Sequence, residues 1–266
     1  MQKNLSFDTY EEIIVTNETL RGVLLQFKPI KDVAGVPTVC DIADLNKVDI
    51  EIVLKRANGN REIVIFNGYL DDLLLGLYAQ NTKLQLNRKP TTEGYLMFLD
   101  LTPSVIALRG KDELLIKFKA QKTAFTGTTV SLSSISFQTM PAVGGTSTVP
   151  QVKALPIGSG EINFDKELGD GIVKITLATD YSTDYLSSNK AKAVSGDIRA
   201  NGFEKPFTDA QLLAENMHYF DNNPDSDVED LVAYWGAPMN KVRLRFKLDK
   251  AADESAKVLT LGMVQA

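Results

Sequence analysis

FDNNPDSDVED, residues 220–230, sets Asp221, Asn223, Asp225 and Asp227 at alternate positions. Side-chain oxygens at that spacing open an EF-hand calcium loop. The pattern then breaks, because Ser226 stands at the glycine position and Val232 at the position of the bidentate glutamate. Two expectations follow for these four residues: a looser calcium site that stiffens a loop, or a solvated acidic loop. The remaining chemistry is sparse. His218 is the single histidine and Cys40 the single cysteine, so an internal disulfide cannot form, Cys40 has no second thiol for a zinc site, and no G-x-S-x-G elbow supplies a serine for His218. His218 is read as a packing or capping residue at a helix end. Gly110-Lys111-Asp112 lacks the preceding glycines of a phosphate loop and runs into the strand-like ELLIKFKA. Asp71 and Asp72 begin a short helix, where carboxylates complement the dipole. Tyr234 and Trp235 could stack on a sugar, but they sit in an apolar run that favours a core or rim position. The chain is therefore expected to be no enzyme and to hold no organic cofactor, calcium alone remaining in view.

The elements that carry these residues come from a chain of 266 residues, 44% apolar, 24% charged and 8% aromatic, which is ordinary for a globular protein. A formal charge of −5 and the absence of any Lys/Arg-rich run argue against direct nucleic-acid binding. MQKNLSFDTYEE has no apolar signal-peptide core, so synthesis in a cytoplasm is expected.

NKVDIEIVLKRANG (46–59) has a near copy in NKAKAVSGDIRANG (189–202). Three further blocks match in the same order: LSFD (5–8) with INFD (162–165), YLMFLDLTP (95–103) with DLVAYWGAP (230–238), and 114–138 with 242–265. The offset between matched blocks falls steadily along the chain, as expected for a duplicated fold whose second copy has shorter loops. After each RANG comes a short amphipathic helix, within NGYLDDLLLGLYAQN (67–81) and FTDAQLLAENMHYFDN (207–222), the latter with Thr208 or Asp209 as its N-cap.

Most other ordered segments alternate with period two, the mark of strands with one buried face. Val48, Ile50, Ile52 and Leu54 alternate with Asp49, Glu51, Val53 and Lys55; Val242, Leu244, Phe246 and Leu248 alternate with Arg243, Arg245, Lys247 and Asp249. Asn58-Gly59 marks a hairpin turn after the first of these, and Pro206 weakens the strand that returns from the second RANG. TVSLSSISFQ (129–138) slips its alternation at Ser133-Ser134, as at a bulge or in a strand that crosses between sheets. The fold class expected is mainly β: two tandem jelly-roll β-sandwiches, each with a short inserted helix. The first spans 1–140 and the second 161–266, joined by a Pro-, Gly-, Ser- and Thr-rich linker at 139–160.

Two tandem, helix-punctuated sandwiches in a small acidic chain resemble the double jelly-roll major capsid proteins of tailless, membrane-containing icosahedral viruses, such as the corticovirus coat protein or that of lipid-containing flavobacterial phages. The resemblance implies a homotrimer whose six barrels form a pseudo-hexagonal capsomer in a virion shell. It also implies minor capsid and vertex proteins as partners and peripheral contact with an internal membrane. The N-terminal arm (1–10) and the 139–160 stretch are the segments expected to reach neighbouring subunits. A second reading stays open, a tandem β-sandwich module that binds carbohydrate or a receptor.

Overall fold

The structure is a computed structural model, and it describes residues 2–4, 8–28, 30–39, 48–70, 72–73, 76, 95–101, 104–120, 134–178, 191, 193–220, 231–252 and 256–266. Two compact units divide the chain, the border falling between Pro150 and Gln151, with Gln265–Ala266 counted with the first unit.

The first unit carries β1 (Gln2–Asn4), β2 (Glu11–Thr16), β3 (Thr19–Lys28), β4 (Ile30–Val33), β5 (Val36–Val39), β6 (Val48–Arg56), β7 (Arg61–Tyr69), β8 (Tyr95–Asp100), β9 (Ile106–Ala107), β10 (Glu113–Ala120) and β11 (Ser134–Pro141). They form one sheet in the order β1-β11-β3-β8, with β9 on β3, and a second in the order β2-β10-β6-β7. The hairpin β4-β5 stands apart as its own two-stranded sheet. Val48, Ile50, Ile52 and Leu54 are buried as their alternation requires. Phe27 of β3 meets Phe118 of β10 edge to face, ring centres 5.1 Å apart, and so joins the two sheets.

In the second unit the order repeats. β12 (Thr148–Pro156), β13 (Asn163–Gly169), β14 (Ile172–Ala178), β15 (Ala193–Ala200), β16 (Phe203–Thr208), β17 (Leu231–Met239), β18 (Val242–Leu248) and β19 (Lys257–Gln265) form the sheets β12-β19-β14-β17 and β13-β18-β15-β16. Strand for strand this is the arrangement of the first unit, eight strands wound twice into paired four-stranded sheets, the jelly-roll pattern. Ile198, Phe207, Val242, Leu244, Phe246 and Leu248 lie in its core. Residues 172–177 of β14 are buried on both faces, and burial pushes the Lys174 ammonium down to about 8.

Helix α1 (Asp209–Phe220) follows β16. Its N-cap is Thr208, whose Oγ1 accepts from Gln211 N at 3.3 Å while Gln211 Oε1 accepts from Thr208 N at 2.9 Å, a reciprocal capping box. Leu212 is its buried anchor, and Lys205 of β16 pairs with Glu215 across the helix face. In the first unit Leu70, Asp72, Leu73 and Gly76 are helical and residues 67–69 belong to β7, so the helix starts beside the acidic pair expected to open it.

Two sequence expectations change, and a third falls partly outside the described residues. The 139–160 stretch is not irregular throughout: β11 runs to Pro141 and β12 spans 148–156. β12 lies at the end of its sheet, where Pro150 and Pro156 are tolerated because one edge donates no ladder bonds. The described register shift of β11 falls between Met140 and Pro141, while Ser133 lies outside the described residues. Pro206 leaves β16 intact for the same reason as in β12, since β16 is an edge strand.

Candidate assembly surfaces

The two equivalent sheets β2-β10-β6-β7 and β13-β18-β15-β16 each turn one face outward, and cross-strand register fixes which side chains share a row there. In the first unit, Glu12, Lys117, Glu51 and Asn67 form a row. Taking Phe118 and Phe246 as equivalent, the same row in the second unit is Asp165, Arg245, Asp197 and Pro206. Both rows read acid, base, acid. Lys117 Nζ lies 2.8 Å from Glu51 Oε2, and that hydrogen bond raises the lysine above its usual range. Arg245 holds Asp197 through Nη2 at 2.8 Å, and Arg243 holds Asp165 at 2.7 and 2.8 Å, which keeps the Asp165 carboxyl below the usual carboxylate range.

The next row differs completely between the units. In the first it is Ile14, Leu115, Val53 and Val64. In the second it is Glu167, Arg243, Arg199 and Glu204, with Arg199 bonded to Glu204 at 2.8 Å and to Asp197 at 3.0 Å. A cleft of about 630 Å³ runs along this ionic row, bounded by Asn201, Gly202, Phe203 and Lys241 as well. A smaller cleft of about 340 Å³ lies on the first unit between Tyr10, Asp49, Glu51, Asn67 and Lys117. Lys119 caps Tyr10, its Nζ 5.5 Å from the ring centre.

The two RANG tetrapeptides occupy corresponding hairpins in different registers. Arg199 lies opposite Arg243, the level at which the first unit has Val53 opposite Leu115, three residues before Arg56. In the second unit Asn201 and Gly202, at φ 46° and 83°, form a two-residue turn between the paired Ala200 and Phe203. In the first, Arg56 pairs with Arg61 and the positive φ falls on Gly59 and Asn60 instead, so four residues make the turn. The arginines then do different work. Arg199 joins the surface row, whereas Arg56 Nη1 reaches Asp112 Oδ2 at 2.9 Å and Ala107 O at 2.6 Å. Asp112 also accepts from Ala57 N at 2.9 Å and Arg109 N at 3.3 Å. Burial alone would raise this carboxyl, but the backbone donors and the guanidinium hold it below the usual range. The Gly110-Lys111-Asp112 turn is thus a clasp between hairpin and sheet. The match of LSFD to INFD is likewise displaced: Phe164 pairs with Phe246 at the level where Glu11 pairs with Phe118.

Asp221, Asn223, Asp225 and Asp227 lie outside the described residues, as do Cys40 and Asp71. His218 falls in the last turns of α1, and Tyr234 and Trp235 in β17. Asp72 is buried, unlike a carboxylate held at a solvated helix start. Among the described residues no group of three or more His, Cys, Asp or Glu side chains could hold a metal ion, and no helix is long and apolar enough to cross a membrane. From the N-terminal arm, β1 pairs with β11 and Asp8 N donates to Ala120 O. The preserved acid-base-acid rows escaped sequence matching because aspartate replaces glutamate, arginine replaces lysine, and the register is set by pairing rather than by order along one strand.

No protein-family model matches the chain, and no curated protein sequence does. Solved structures do. The STIV major capsid protein superposes with a TM-score of 0.62 at 15% identity, covering 99% of this chain and 96% of its own. The double jelly roll is the fold of this chain. The major capsid protein P2 from bacteriophage PM2 gives a TM-score of 0.61 at 13% identity, with 100% of this chain and 98% of that one covered. Both superpositions extend over both units of this chain.

Proposed function

We propose that this chain is a major capsid protein that builds an icosahedral virion shell by self-assembly. One observation carries the proposal: the same eight-strand order occurs twice in one chain, in a double jelly roll of the size and extent of two viral coat proteins. A duplicated barrel lets three chains present six similar units, so a threefold oligomer can tile a near-sixfold lattice. The reading includes a homotrimer as the capsomer, minor capsid and vertex proteins as further partners, and peripheral contact with an internal membrane. Synthesis takes place in the host cytoplasm before assembly into the virion. The role is structural rather than catalytic: the outward rows described above are ion-paired or apolar, which suits contact surfaces. Calcium at Asp221, Asn223, Asp225 and Asp227 would stiffen a loop of the shell; titration calorimetry showing no heat with calcium contradicts that part.

Expression of the chain alone followed by negative-stain electron microscopy tests the proposal. Shells or sheets with a hexagonal lattice are expected. Isolated particles that never associate at any concentration contradict it, and a saturable hit in a glycan screen by such a species would favour the binding-module reading.

A further inference from the structure

The exposed large apolar residues are unevenly placed. Nine are found among the described residues, and four of them, Tyr10, Ile14, Val64 and Tyr69, lie on the outward face of β2-β10-β6-β7, at exposures of 55%, 53%, 41% and 42%. They stand at the ends of two rows. Ile14 and Val64 end a row whose two middle residues, Leu115 and Val53, are buried within the chain, and Tyr69 lies opposite Asp49, itself opposite Lys119 beneath Tyr10. Between these rows runs Glu12-Lys117-Glu51, and beyond the apolar row Glu113 faces Lys55, which pairs with Glu62. Exposed apolar groups at both edges of a sheet whose middle carries charged rows make a pattern of a contact face rather than of a solvated sheet.

We infer that this face of the first unit packs against the same face of a second copy, about a twofold axis parallel to the strands. The inference rests on the capsid reading. Such an axis lays each row on itself in reverse order, so the charges can be checked row by row. Lys119 comes opposite Asp49, Lys117 opposite Glu51 and Glu113 opposite Lys55, while Ile14 meets Val64 on either side of Leu115 and Val53, which are already buried within the chain. Three of these rows thus set opposite charges together at their centres, and the fourth sets exposed apolar groups together at its two ends. The same operation on the second unit sets Arg245 on Asp197, as in the first, but in the next row it sets Glu167 on Glu204 and Arg243 on Arg199, like on like. That row therefore opposes self-association of the second unit, and an apolar row laid on it would strip water from charges without offering partners. A chain with two nearly identical barrels needs such a difference, because otherwise either barrel could fill the other's place in a lattice.

Four strands about 4.8 Å apart and four rows give roughly 400 Å² per copy, half of the ~800 Å² per partner of a standard interface. The contact is accordingly weak alone and forms where copies are held close by other contacts.

The test is a cysteine pair, Ile14→Cys with Val64→Cys, in a Cys40→Ser background. Both sites are exposed, so folding is expected to survive and is checked by thermal melting. Oxidised under assembling conditions, the double variant should double the chain's mass on a non-reducing gel, while neither single variant and not the matching pair Glu167→Cys with Glu204→Cys should do so. Lattices or shells that form without this cross-link assign the patch to another occupant and overturn the inference while leaving the capsid reading intact. A chain that stays monomeric throughout overturns both.

Discussion

At the residue scale the clearest dependence is on Asp112. Its carboxylate satisfies two backbone N–H groups and the Arg56 guanidinium in a buried position. Asp112→Ala leaves those donors without their acceptor, which should lower stability by about 1–3 kcal/mol in chemical denaturation. Because the folded carboxyl titrates below its unfolded value of 3.8, its contribution is complete above that pH and disappears as pH falls through the lower folded value. The wild type should therefore lose stability below about pH 4, on this linkage, more steeply than Asp112→Asn, and parallel curves for the two proteins contradict the clasp. Several features at this scale were legible beforehand. The N-cap, offered as Thr208 or Asp209, is Thr208, a residue local in sequence and in space to the helix it caps. The use of Arg56 was not, since Asp112 lies 56 residues away and the identical RANG in the second unit serves another purpose.

Among the elements, the alternation of β6 and β18 translated directly into buried faces, because period two is a property of the strand itself. Pairing was not legible. The repeated RANG pointed to equivalent hairpins, yet the turn lengths differ and the registers are three residues apart when the paired strands are compared. Gly196 illustrates what only the packed sheet reveals. A Cβ there would lie 2.6 Å from the Phe207 ring and 2.8 Å from Phe246 Cβ, with the Arg245 carbonyl oxygen closer still. Phe207 thus occupies space that a side chain on β15 would take. Gly196→Ala should destabilise the protein by about 1–3 kcal/mol through overpacking. A thermal midpoint unchanged from wild type would show that the core of the second unit is looser than this geometry.

For the whole molecule, the duplication visible as ordered sequence blocks proved to be a duplication of topology, although two of the four blocks are out of register. Loops changed length between the copies while the strand order did not, as expected when loop closure costs little and a broken sheet costs much. Deleting residues 1–8 removes β1, which contributes a short edge to the sheet of the first unit through three pairs with β11. The truncated chain should keep its fold and its oligomer but assemble less well, seen as a lower yield of particles by sedimentation. Assembly equal to that of the intact chain contradicts a role for the arm in contacts between subunits.

The central claim, that a doubled barrel exists to make a pseudo-sixfold building block, is tested most directly by multi-angle light scattering of the purified protein. The account predicts a species of three times the chain mass of 29.2 kDa, with larger particles as concentration rises. A strict monomer at every concentration would contradict it.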